Sequence, residues 1–206
     1  MFRNLLRPDN PLMIVMTQIT DCIFLSLFWV LGCIPVVTVG TSFAAMYDAV
    51  YRGFRRGERN SWQAFAISFR RNWRDGMVPT VVFLAAVAAL VSGGIRLWNS
   101  AVYGQISWIL FSVGAFFGVL LLGVLSVLFP LFSRFENSVP VLLKNTVLLA
   151  IANLPRTLGL GLLNTVSAFL CVRYVFPVFF LPALAALIGT LLIEPMFKPF
   201  LPKAAE

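Results

Sequence analysis

The chain has 206 residues, 60% of them hydrophobic and only 12% charged, with a mean hydropathy of +0.90. Soluble domains carry about a quarter charged residues, so there is too little polar surface here to cover a water-soluble fold, and an integral membrane protein is expected. The net charge of +8 does not point to nucleic acid, because the basic residues flank apolar runs, where they set orientation in a bilayer and meet anionic headgroups.

The opening stretch MFRNLLRPDNPLM has no small-residue cleavage site behind a short apolar core, so no removable signal peptide is expected. Between Asp21 and Asp48 the chain is uncharged. One crossing from Cys22 to about Val39 fits that run. Two crossings also fit, over residues 12–32 and 36–52, hinged at Gly32-Cys33-Ile34-Pro35. Pro35 suits the first turn of a following helix, where its missing N–H is no loss.

Residues 61–75 are not a span. Trp62, Phe65, Ala66, Phe69 and Trp73 recur at helical spacing, with Arg70, Arg71 and Arg74 on the other side. Asn60 with Gln63 has the pattern of an N-cap and its reciprocal partner. An amphipathic helix lying on the cytoplasmic headgroups is expected, with a docking helix for another membrane subunit as the alternative.

Further spans are expected at 77–95, 106–130, 154–171 and 174–193, the last interrupted by Pro177 and Pro182. A crossing needs roughly 20 apolar residues, and the charge-free run between Arg96 and Arg134 meets that easily. A second surface helix is expected over 138–152, where Asn137-Ser138 echoes Asn60-Ser61. The expected fold is therefore all-α: a polytopic transmembrane helix bundle of about six crossings, five being the alternative. One or two amphipathic cytoplasmic surface helices complete a single membrane domain, 1–206.

Charge placement favours six. Six crossings put both termini in the cytoplasm and leave only Arg96 and Arg173 outside; five move Arg3 and Arg7 outside as well. The expected location is a bacterial cell membrane.

A charge near the bilayer centre costs about 3 kcal/mol on insertion scales, so Asp21, Asp48 and Arg52 are candidate intramembrane polar residues. Asp21 and Asp48 are expected at similar depths, with Thr17 extending a polar stripe toward the bundle. Arg52 lies i+4 to Asp48, where it can pair. Either the two acids line a proton- or cation-linked path, or they are satisfied structural groups. Arg55, Arg56, Arg59, Trp62, Arg70, Arg71, Trp73 and Arg74 are candidate contacts for anionic lipid or a partner. Asn145, Asn153 and Asn164 are candidates for helix–helix hydrogen bonds, and Gly114 with Gly118, and Gly159 with Gly161, for close packing.

There is no histidine. Cys22, Cys33 and Cys171 lie in apolar runs, so no disulfide framework is implied. No phosphate loop, HExxH, CxxC or GxSxG occurs. No catalytic, metal or cofactor residue is expected, and the chain is read as a non-enzyme.

The run Asn10-Pro11, Asp21, Trp29, Pro35-Val-Val-Thr38-Val-Gly40 and Ala45-Met-Tyr47 resembles the N-terminal signature of the YesL-like family of bacterial membrane proteins. Phe129-Pro130-Leu131, Arg134-Phe135-Glu136-Asn137, Lys144-Asn145, Leu154-Pro155-Arg156 and Phe197-Lys198-Pro199 resemble its C-terminal half. The resemblance implies a protein without an established activity, often encoded near carbohydrate ABC transporters and two-component sensors. It thereby implies an accessory to carbohydrate uptake or its sensing, with ABC sugar-transporter subunits or a sensor kinase as partners. It carries no catalytic or ligand residues; Pro35, Thr38, Gly40, Arg134, Asn137 and Pro155 are motif positions only. The alternative is a small secondary transporter working as a homo-oligomer around Asp21 and Asp48.

Overall fold

A computed structural model describes residues 11–58, 60–104, 106–135 and 138–198. The described residues contain helices and no strand. The α-helices are α1 (Pro11–Cys33), α2 (Val39–Val50), α3 (Ser61–Asn72), α4 (Met77–Val102), α5 (Trp108–Arg134), α6 (Val139–Ala152), α7 (Leu154–Arg173) and α8 (Leu181–Phe197). Short 3-10 turns, Val36–Thr38 and Phe176–Phe179, precede α2 and α8.

Among the described residues, four helices are long and apolar enough to cross a membrane: Met16–Cys33 within α1, α4, α5 and α7. Their outward surfaces are apolar, with Phe24, Val91, Phe117 and Phe169 all exposed. An apolar exterior over helices of this length is what a lipid environment requires. The fold therefore fits an integral membrane protein. α6 and α8 are apolar but shorter.

The chain turns back at Gly32–Pro35 for local reasons. A residue before proline is pushed out of the helical region, and α1 stops at Cys33, one residue ahead of Ile34-Pro35. Pro35 itself is extended, at φ −76° and ψ 113°. The Thr38 hydroxyl then donates to the carbonyls of Gly32 and Pro35, each at 2.8 Å, serving acceptors that a helix end leaves open. α1 and α2 run antiparallel from there. Near the hinge the Trp29 and Phe43 rings sit 5.2 Å apart. At the far end Asp21 and Gly53 both lie against Ser61.

The second arm is not the single helix expected over 36–52. It divides into the 3-10 turn, α2, and a wider π-helical turn, Tyr51–Arg55. α2 is the most enclosed element: Ala44, Ala45, Ala49 and Val50 are fully buried, and it touches α1, α3, α4, α5 and α8. Its small residues let five neighbours approach one short helix.

α3 also departs from expectation. Ser61 lies beside Asp21, the Phe65 and Phe28 rings are 6.1 Å apart, and Phe69 lies against Gly32. The helix thus runs alongside α1. Its buried stripe is Ser61, Ala64, Phe65 and Ser68, while Trp62, Ala66 and Trp73 are exposed. The stripe is rotated by about one residue from the aromatic one because small side chains allow α3 to close on the hairpin. Asn60 does not cap through its side chain; that amide donates to Gln63 Oε1 at 3.1 Å. Ser138 makes no side-chain cap either, and Asn137 lies outside the described residues.

α4 and α5 form a second antiparallel pair, with Phe83 against Phe129 at 5.0 Å and Trp98 against Trp108 at 6.1 Å. α5 and α7 cross in backbone contact at Gly123 and Gly161. A side chain on either would collide with the other helix's carbonyls, those of Val119 and Thr157. Asn164 Nδ2 donates to Ser126 Oγ at 2.9 Å beside this crossing. Gly159 and Gly118 have looser surroundings. Early in the last expected span Pro177 sits in a 3-10 turn, and regular helix starts only at Leu181, with Pro182 in its first turn.

Candidate functional site

The polar end of α2 gathers side chains from three helices. Tyr47 and Asp48 stand on its last turns, followed by Tyr51 and Arg52 on the π-helical turn. Such widened turns recur at functional sites because they re-aim successive side chains. Arg134 closes α5, and Glu194 lies in the last turns of α8 just before Pro195.

Glu194 Oε1 accepts from Arg134 Nη2 at 2.6 Å and from the Tyr47 hydroxyl at 2.7 Å. The Arg134 and Glu194 side chains are 17% and 14% exposed. A carboxylate is tolerable in so apolar a helix when charge-assisted donors converge on it. The Arg134 guanidinium also stacks over the Tyr51 ring, 3.7 Å from its centroid, and Arg56 lies 5.4 Å from the same centroid. Three helices that are distant in sequence are clamped here by one acid.

Beside this clamp Arg52 Nε donates to Asp48 Oδ1 at 3.2 Å. Asp48, Tyr51, Arg52, Arg56, Arg71, Ser133 and Arg134 line a small open cleft of about 150 Å³. Four arginines and one aspartate therefore line it. Two polar atoms of its wall residues, Asp48 Oδ2 and Arg134 Nε, are buried without a hydrogen-bond partner among the described residues.

The expected site residues are distributed as follows. Asp21 is half-buried and accepts from Ser61 Oγ at 3.3 Å, while Asp48 is buried against Arg52. The two acids are thus held by different partners, and the antiparallel pairing sets Asp21 level with Gly53, more than a helical turn from Asp48. Thr17, expected to face the bundle, is exposed. Arg55, Trp62, Arg70, Trp73 and Arg74 are exposed, with Arg74 stacked on Trp73 at 5.3 Å. Arg56 and Arg71 are exposed residues at the cleft wall. Arg59 lies outside the described residues.

Sequence reasoning missed Glu194, Tyr47 and Tyr51 as site residues and treated Arg134 as a motif position only. One signal was available: Glu194 is the only acid between Glu136 and Glu206, and a lone carboxylate in an apolar run needs a partner.

No curated protein and no solved structure matches the chain. Residues 22–93, from α1 through most of α4, match the model of a family described as a protein of unknown function, DUF624.

Proposed function

We propose that this is a non-enzymatic, multi-pass protein of the bacterial cell membrane that serves as an accessory to carbohydrate uptake or its sensing. Its basic face, over residues 55–75, docks a partner's cytoplasmic surface and anionic headgroups. The observation that supports docking is the imbalance of exposed charge over residues 55–75. Asp48 and Glu194 are taken up by Arg52 and Arg134. Arg55 and Arg56 are exposed before the start of α3, where Trp62 is exposed too, and Arg70, Arg71 and Arg74 are exposed with Trp73 toward its C-terminal end, with Glu58 and Asp75 as the exposed acids of the same stretch. Cations beside interfacial tryptophans suit a headgroup layer or an acidic protein face. The carbohydrate connection rests on the resemblance of Pro35, Thr38, Gly40 and the Arg134 region to the YesL-like family. In this reading that face lies on the cytoplasmic side, and six crossings result if residues 36–55 and α8 traverse the bilayer with the four long helices.

Crosslinking and pull-down from native membranes, during growth on different carbohydrates, tests the proposal. Recovery of sugar-transporter subunits or a sensor kinase is expected, reduced when Arg70 and Arg74 are both changed to Glu. Recovery that is unchanged by those substitutions would remove the basic face from the account. Uptake of a solute by the purified protein in liposomes would replace the accessory role with transport.

A further inference from the structure

We propose that the apolar groove between α4 and α5 is a lipid site, holding one acyl chain of an anionic glycerophospholipid whose phosphate lies at the height of Arg96. It is separate from the basic face over residues 55–75 and does not depend on a partner docking there.

Unpartnered glycines mark the groove. Glycine weakens a helix interior, and a bundle offsets that loss where another backbone comes close, as at Gly123 and Gly161. Gly93 and Gly94 on α4 have no such neighbour: a side chain on either would stand in open space. On α5, a side chain at Gly118 would meet only Leu90, at 4.0 Å. These three glycines, with Ala86, Ala89 and Gly114, line a groove of about 580 Å³ whose remaining wall is also apolar. That volume falls within the roughly 300–1,000 Å³ of clefts that hold small ligands.

The length of the groove selects its occupant. At one end Trp98 and Trp108 meet edge to face at 6.1 Å, and tryptophans of this kind sit at headgroup level. At the other end Phe83 and Phe129 meet at 5.0 Å, with Phe43 of α2 stacked on Phe129 at 5.9 Å. From Ala86 to Trp98 the helical rise gives about 18 Å, close to one leaflet of a hydrocarbon core about 30 Å thick. A partner helix crossing the whole bilayer along this groove would meet the phenylalanine cluster part-way. A lipid chain, held at the headgroup and ending near the midplane, has the matching length.

Charge selects the head. Arg96 is the only charged residue between Asp75 and Arg134. It is exposed within one turn of Trp98 and forms no ion pair among the described residues. A guanidinium matches the oxygens of a phosphate. An anionic head leaves that attraction unopposed, whereas a zwitterionic head brings its own ammonium to the same place.

The test uses the full chain, purified in maltoside with equal amounts of phosphatidylglycerol and phosphatidylcholine, and native mass spectrometry counts the lipid that stays bound. One phosphatidylglycerol per chain is expected, in preference to phosphatidylcholine. Gly94→Leu fills the groove and is expected to lower retention about tenfold, the effect of losing the burial of roughly two methylenes. Val91→Leu, exposed on α4 outside the groove, should leave it unchanged. Arg96→Gln is expected to remove the preference for phosphatidylglycerol while lipid is still retained. Ala89→Leu repeats the groove test should Gly94→Leu fail to fold.

Equal retention by the unmodified protein and the groove-filling variants would overturn the proposal. So would equal retention of the two lipids by the unmodified protein. A dimer of the unmodified protein that Gly94→Leu splits would give the groove to a second copy, and would overturn it as well.

Discussion

Glu194 holds its place in an apolar helix because two donors, from Arg134 and Tyr47, converge on one of its oxygens. Removing one member of such a buried pair leaves an uncompensated charge, which costs about 3–5 kcal/mol. Arg134→Met is therefore expected to lower unfolding stability in detergent by that order. The double variant Arg134→Met with Glu194→Gln should recover much of it. A loss below about 1 kcal/mol in the single variant would mean that the clamp carries no stability. Asp21→Asn should differ in kind: its partner Ser61 is 3.3 Å away and the residue is half-buried. A weak hydrogen bond of that sort contributes about 1 kcal/mol or less, and the same unfolding measurement checks it. At this scale the sequence was legible where partners are close along the chain. Arg52 four residues after Asp48 can be read directly, and the pair forms. Glu194 was not legible because its partner lies 60 residues away and the expected span ended one residue before it.

Elements are joined by two local devices with different sensitivities. Thr38 closes the hinge by donating to two carbonyls, so Thr38→Val should destabilise by about 1 kcal/mol without changing the fold. Gly123 and Gly161 bring α5 and α7 into backbone contact. Gly161→Leu must push the helices apart, and overpacking of this kind costs about 1–3 kcal/mol or more. A thermal melt should rank it well below Gly159→Leu, whose site is open enough to adapt. Equal effects would remove the crossing from the account. The hinge at Gly32–Pro35 was readable because proline and glycine act on their own neighbours. The facing of α3 was not. Two stripes one residue apart are both available on that helix, and the choice depends on whether lipid or the α1–α2 hairpin takes up its apolar side. Gly161 was legible as a packing position, but its partner Gly123 was not, because the contact between their helices is set by the whole bundle.

The molecule as a whole is organised by the return of the chain at Pro35. Because α1 and α2 run antiparallel, the part of α1 before Asp21 lies toward the same end as Arg52 and Arg55. Arg134 and Glu194 converge on that end from α5 and α8. One end of the bundle thus gathers Arg52, Arg55, Arg56 and Arg134, while Trp98, Trp108 and Phe111 cluster at the distant turn between α4 and α5. Composition alone was enough to expect helices in lipid. The number of crossings was not legible in it, because the second arm of the hairpin hides its small residues within the protein and carries no lipid-facing signature. The most direct test places single cysteines at Leu5 and at Arg55, with Cys22, Cys33 and Cys171 changed to Ala, and labels intact cells and inverted vesicles with an impermeant thiol reagent. Both positions are predicted to react only in the inverted vesicles. Reaction of Leu5→Cys from outside the cell, with Arg55→Cys reacting from within, would contradict the fold-back on which the polar end depends.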